Sequence, residues 1–195
     1  MTRHVLLALF VAGSFLAGLA IAQTPAAATR VLMKTSKGDI TIELYSSKAP
    51  MTVKNFMFYV KDRFFEGTTF HRVIANFMIQ GGGITAEMHE KPAKPPIKNE
   101  AGNGLKNARG TIAMARTGIV DSATCQFFIN LKDNGTLDHK DNSTEGFGYC
   151  VFGNVVAGMD VVDAIAKIKT TSRRGYGDVP VEPVTIFSVE VLGGK

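Results

Sequence analysis

The chain has 195 residues, a formal net charge of +5 and 45% hydrophobic residues, enough for one domain with a real core. Its 22 Lys and Arg residues are scattered with no basic stripe, which argues against a nucleic-acid surface. Trp is absent, which excludes folds built on a core Trp, while 20 Gly and 13 Phe favour a turn-rich β protein.

Arg3 and His4 precede an uncharged apolar run from Val5 to Ala22, and Gln23, Thr24 and Pro25 follow it. Ala20-Ile21-Ala22 fits the small-x-small pattern that a signal peptidase reads. The competing reading is a membrane anchor. The run is rich in Ala and Gly, lacks a basic flank and falls short of the ~20 residues of a span. Residues 1–22 therefore read as a cleaved signal peptide of bacterial type, which points to the periplasm and leaves no membrane contact after cleavage. Residues 23–30 read as a flexible tether, and residues 31–195 as one domain.

Val31 to Thr35 and Ile40 to Leu44 flank Ser36-Lys37-Gly38-Asp39 as a β-hairpin. Ile40, Ile42 and Leu44 alternate with Thr41 and Glu43, so one face is buried and the other wet. Pro50 suits the first turn of a helix, and Val53, Phe56, Met57 and Val60 then make an apolar stripe. A second helix is predicted from Gly158 to Lys167, with Val162, Ile165 and Ala166 inward. Val184 to Leu192 closes the chain as a strand. Between the helices, short apolar runs stand among Gly, Asn and Pro: Thr68 to Ile74, Phe77 to Gln80, Gly110 to Ala115, Gln126 to Asn130 and Tyr149 to Phe152. Such spacing predicts a barrel or sandwich. Residues 90–107, with Pro92, Pro95 and Pro96, read as a long loop, and residues 133–148 as another.

The commoner catalytic constellations are missing. His71, His89 and His139 lack metal-ligand spacing, there is no nucleophile elbow, and Gly81-Gly82-Gly83 lacks the Lys of a phosphate loop. The triple glycine reads as a tight turn or a close backbone approach. Neither a metal nor a cofactor is expected. Cys125 and Cys150 allow one disulfide in an oxidising compartment, but the preferred reading is two small buried hydrophobic side chains.

The run Phe70-His71-Arg72-Val73-Ile74-Ala75-Asn76-Phe77-Met78-Ile79-Gln80-Gly81-Gly82 resembles the signature of cyclophilins. The resemblance continues through Gly110-Thr111-Ile112-Ala113-Met114-Ala115, Gln126-Phe127-Phe128-Ile129 and Val151-Phe152-Gly153, and spans Val31 to Leu192. Pro95-Pro96-Ile97-Lys98-Asn99-Glu100-Ala101 is most similar to the periplasmic cyclophilins of bacteria.

This resemblance implies a mainly β fold, a closed eight-stranded antiparallel barrel capped by two helices. It implies a peptidyl-prolyl cis-trans isomerase acting on proline-containing polypeptides and folding exported proteins, as a monomer. By motif position Arg72 is the catalytic arginine and Gln80 orients it. Phe77, Met78, Phe128 and Leu137 form the proline pocket, with Phe77 counted in the catalytic set. Gln126 and the backbone at Ala115 and Arg116 hold the flanking peptide. Tyr149 stands where many members carry His. Phe127 points opposite to Phe128 along a strand and belongs to the core.

There are further departures from the family pattern. Ala75-Asn76 replaces the usual Pro-Gly, Arg116 stands where Asn is common, and Thr136 stands where many eukaryotic members carry Trp, which implies weak cyclosporin binding. The alternative function is a non-catalytic binding module or chaperone on the same scaffold. A structural envelope protein finds no support beyond the leader.

Overall fold

The computed structural model describes residues 29–193. The proposed leader lies outside the described residues. β1 (Thr29–Thr35) and β2 (Gly38–Leu44) form the expected hairpin, with Val31, Met33, Ile40, Ile42 and Leu44 buried by strict alternation. β1 starts at Thr29, two residues inside the segment read as a tether.

α1 (Pro50–Lys61) starts with Pro50 in its first turn and buries Thr52, Val53, Phe56, Tyr59 and Val60. The stripe thus includes Tyr59, which the apolar spacing had not marked, while Met57 sits at its margin, half-buried. No local side chain caps this helix. The Glu100 carboxylate does so from 48 residues away. It accepts the Thr52 N–H and hydroxyl at 2.8 Å each, and the Met51 N–H at 3.2 Å. A negative group there also meets the positive end of the helix dipole. The segment read as an irregular loop is therefore pinned to α1, and it holds one short 3₁₀ turn at Ala101–Asn103.

The other strands of the main sheet are β3 (Arg72–Ile74), β4 (Met78–Gly81), β5 (Thr111–Met114), β6 (Phe127–Asn130), β7 (Val151–Ala157) and β10 (Ile186–Leu192). They join β1 and β2 in one antiparallel sheet of order β10-β1-β2-β7-β5-β6-β4-β3. α2 (Met159–Ala166) buries Val162 and Ile165, with Ala166 packed at the edge of the core.

The expected closed barrel is corrected here: the sheet is a strongly curled half-barrel. Its edge strands β3 and β10 form no ladder with each other; the segment before β3 meets the start of β10 through the Thr69–Thr185 bridge and the hydrogen bonds Gly67 N–H to Ile186 O (2.9 Å), Ile186 N–H to Thr68 O (2.8 Å) and Phe70 N–H to Val184 O (2.9 Å). β3 has only three residues and pairs with β4 alone. Beyond it packs a feature the sequence reading missed, a separate hairpin of β8 (Thr170–Arg173) and β9 (Tyr176–Pro180). Its turn has positive φ at both Arg174 (50°) and Gly175 (83°), the geometry that two-residue hairpins favour.

Inside the curl, Phe56 lies against Phe65, Phe127 and Phe152 at ring-centroid distances of 5.1, 5.8 and 5.3 Å. This aromatic cluster fills a core that has no Trp. Cys125 and Cys150 are free and buried, so no disulfide contributes.

Candidate active site

Strand register builds the site on the outer face of the sheet. Arg72 of β3 is the direct partner of Gln80 of β4, and Gln80 is the partner of Phe128 of β6. Phe128 in turn faces Ala113 of β5. Alternation sends Val73, Ile79, Phe127 and Ile129 into the main core. Met78, Ala113, Phe128 and Val151 form a second apolar cluster on the other side of the same strands. Phe127 and Phe128 therefore point as the sequence predicts.

That cluster floors a cavity of about 110 Å³ lined by Arg72, Phe77, Met78, Gln80, Ala115, Arg116, Phe128, Leu137 and Tyr149. It is well below the size of a drug-sized ligand site and matches one small ring. Nine of the ten sequence-predicted residues meet in it; the tenth, Gln126, is hydrogen-bonded to Gln80 and lines the neighbouring clefts instead. Wider clefts flank it. One of about 490 Å³ includes His71, Arg72, Gln126 and Asp178, and one of about 150 Å³ includes Thr117, Ser122, Thr124 and Gln126. All three glycines serve close approach, as a Cβ on Gly81 would lie 2.8 Å from Thr69 O, one on Gly82 2.6 Å from the Phe127 ring and one on Gly83 2.7 Å from Gln126 Cγ.

Arg72 is held lightly. Its Nη1 is 3.5 Å from Gln80 Oε1, the long limit of a hydrogen bond, whereas Gln80 Nε2 donates firmly to Gln126 Oε1 at 2.9 Å. On its other side Arg72 Nε lies 3.7 Å from Asp178 Oδ2, delivered by β9. Asp178 was not expected from the sequence. It sits at positive φ (57°) in an exposed stretch, and no spacing ties it to Arg72. The Arg72 side chain stays 44% exposed and lines the cavity.

Beside it, His71 is only 4% exposed and its Nδ1 has no hydrogen-bond partner. Burial, helped by the Arg72 charge, pushes its pKa down to about 4, against the opposing pull of Thr69, Gln126 and Glu90.

Three departures from the family pattern, at Asn76, Arg116 and Tyr149, find physical accounts. Asn76 takes the left-handed conformation (φ 58°), which Asn tolerates, and the Phe77 N–H closes the turn onto Ile74 O at 3.1 Å. Arg116 contributes its side chain as well as its backbone. Its guanidinium donates to Gly148 O (3.0 Å), Thr117 O (3.0 Å) and Thr144 O (3.2 Å), and lies over the Tyr149 ring at 4.9 Å. Tyr149 meets Phe128 edge-on at 5.7 Å, so Arg116 pins the loop that supplies this wall. The Ala115 N–H is taken by Gln126 O at 3.0 Å, which leaves the Ala115 carbonyl for a bound peptide.

Residues 30–191 match the family described as cyclophilin type peptidyl-prolyl cis-trans isomerase/CLD. The chain belongs to that family. A peptidyl-prolyl cis-trans isomerase of Acinetobacter baylyi is 55% identical over 176 residues, which cover 90% of this chain and 92% of that protein. The peptidyl-prolyl cis-trans isomerase B of Escherichia coli is 55% identical over 161 residues, 83% of this chain and 98% of that protein. The crystal structure of a cyclophilin-type isomerase from Cryptosporidium parvum superposes with a TM-score of 0.70 at 22% identity, covering 86% of this chain and 99% of that one. At that identity the likeness speaks for the cyclophilin fold alone. Cyclophilins act on proline-containing peptides.

Proposed function

We propose that this cyclophilin turns X–Pro bonds at the Arg72 cavity and does so on proteins exported with it. The carrying observation is the register that sets Arg72, Gln80 and Phe128 side by side at one ring-sized cavity. Rotation about the bond must break amide resonance, a barrier of about 20 kcal/mol. In the twisted state the proline nitrogen becomes pyramidal and regains a lone pair. A guanidinium N–H aimed at it binds that state better than either planar isomer, which is the requirement for catalysis. Arg suits this role because its charge is permanent and its fork planar.

Phe77, Met78, Phe128 and Leu137 hold the pyrrolidine while the acyl side turns, and the flanking clefts give room for chain on both sides. A turnover of ~10³ per second against ~10⁻² uncatalysed needs roughly 7 kcal/mol, within reach of one charged donor plus preorganisation. NMR exchange on a short X-Pro-Phe peptide tests this. Acceleration at catalytic protein concentration is expected, and tight binding without acceleration would favour the non-catalytic module instead.

The export reading rests on the sequence of residues 1–22. Mass spectrometry of protein recovered from the periplasm is expected to give a chain beginning at Gln23. A membrane-bound form that retains Met1 would overturn it.

A further inference from the structure

Asn107, Asn130 and Asn134 are 2%, 0% and 3% exposed, and they are hydrogen-bonded to one another beneath the proline cavity. Asn134 Nδ2 donates to Asn130 Oδ1 at 2.8 Å, and Asn130 Nδ2 donates to Asn107 Oδ1 at 3.3 Å and to Thr111 Oγ1 at 2.9 Å. The two ends of this relay reach outward to main-chain carbonyls. Asn134 Nδ2 also donates to Phe77 O at 2.8 Å, and Asn107 Nδ2 to Leu137 O at 3.1 Å and Tyr149 O at 3.3 Å.

Phe77, Leu137 and Tyr149 are walls of the cavity that do not lie on strands. Phe77 is in the turn after β3, Leu137 in a 3₁₀ turn (Gly135–Leu137), and Tyr149 at the end of the loop before β7. Met78 and Phe128 are fixed by the sheet ladder itself. A buried amide costs free energy unless satisfied, and three in series demand full mutual satisfaction. Apolar residues of similar volume would fill the space without that demand. Backbone bonds already tie Tyr149 N–H to Leu137 O (2.9 Å) and Leu131 N–H to Phe77 O (3.0 Å); what the amides add is a link that fixes the Phe77 turn relative to the Leu137–Tyr149 pair.

We propose that Asn107, Asn130 and Asn134 are positioning residues that set the width of the proline pocket through the backbone of three off-strand walls, Phe77, Leu137 and Tyr149. The inference rests on the reading of the cavity as the proline site. With the relay cut, the walls reach the binding-competent arrangement only part of the time, and apparent affinity falls by that fraction. Because the walls hold the ring equally in ground and transition states, the loss appears in KM and leaves kcat in place.

The test compares wild type with Asn134→Leu, Asn107→Ala and a remote core variant, Val162→Ala in α2. KM, kcat and Kd are read for the peptide Ala-Ala-Pro-Phe by NMR, with urea unfolding in parallel. Competence for a tenth of the time gives a roughly tenfold rise in KM and Kd, with kcat within about twofold. Val162→Ala is expected to lose stability with both constants unchanged. Unchanged KM and Kd in the Asn variants, or an equal rise in Val162→Ala, would overturn the proposal. Asn134→Ser, short but polar, decides the matter if the larger changes prevent folding. A wild type that binds the peptide without turning it would sink the catalytic reading, and the Kd comparison would still judge this one.

Discussion

Arg72→Ala is expected to lower the isomerisation rate about 100- to 1000-fold, the usual effect of deleting one preorganised donor to a transition state. The loss should not come through unfolding. Arg72 is 44% exposed, its nearest carboxylate is an exposed Asp178 at 3.7 Å, and its contact to Gln80 is 3.5 Å long. Exposed pairs of this kind are worth ~0–1 kcal/mol, a shift of a few degrees in Tm at this size. Arg72→Lys keeps the charge but loses the planar fork that reaches Gln80, Asp178 and substrate together, so it should restore only part of the rate. NMR exchange with a thermal melt on the same samples reads both quantities. An alanine variant that turns substrate at near wild-type rate would remove Arg72 from the mechanism.

The grouping of the candidate site residues on one face was legible because two rules act on the same short strands. Period two puts Phe128 and Gln80 on the face opposite Phe127 and Ile79, and the motif order brings Arg72 beside them. The buried faces of β1, β2 and α1 followed from alternation and from the stripe behind Pro50. The β8–β9 hairpin was not legible. All four residues of β8 are exposed, so no apolar period marks it, and Arg174-Gly175 is a weaker turn signal than Asn-Gly. Asp178 was lost with it. The open curl escaped because whether β3 and β10, the two ends of the sheet, pair is a long-range fact that strand patterns do not encode.

The asparagines gave a faint signal that went unread. Asn130 lies two residues after Phe128 on the same face, yet it is fully buried. A polar residue at such a position implies a partner, but its partners Asn107 and Asn134 come from two separate loops, and only the fold brings them together. Arg116 is similar. Its residue type departs from the family pattern, while its bonds to Gly148 and Thr144 depend on how the long loop returns.

His71 separates the pH dependence of stability from that of catalysis. In the fold its pKa is pushed down to about 4, chiefly by burial, while in an unfolded chain it is near 6.5. The folded protein therefore holds His71 neutral across the range where the unfolded chain takes up a proton. Stability attributable to this residue is intact above pH ~6.5 and falls as pH drops towards about 4, by up to roughly 3 kcal/mol at 1.36 kcal/mol per unit. His71→Gln should remove this slope: urea unfolding at pH 7, 5.5 and 4 should show wild type losing more stability than the variant. Catalysis should behave differently. Bond rotation transfers no proton, arginine stays charged, and His71 is already neutral at pH 5.5. The rate constant measured by NMR exchange should thus be nearly flat from about pH 5.5 to 8.5, without the bell of an acid–base pair. A tenfold step in rate near pH 6.5 that vanishes in His71→Gln would make the histidine a participant. Equal acid sensitivity of stability in wild type and variant would instead show that His71 is protonated as readily in the fold as outside it.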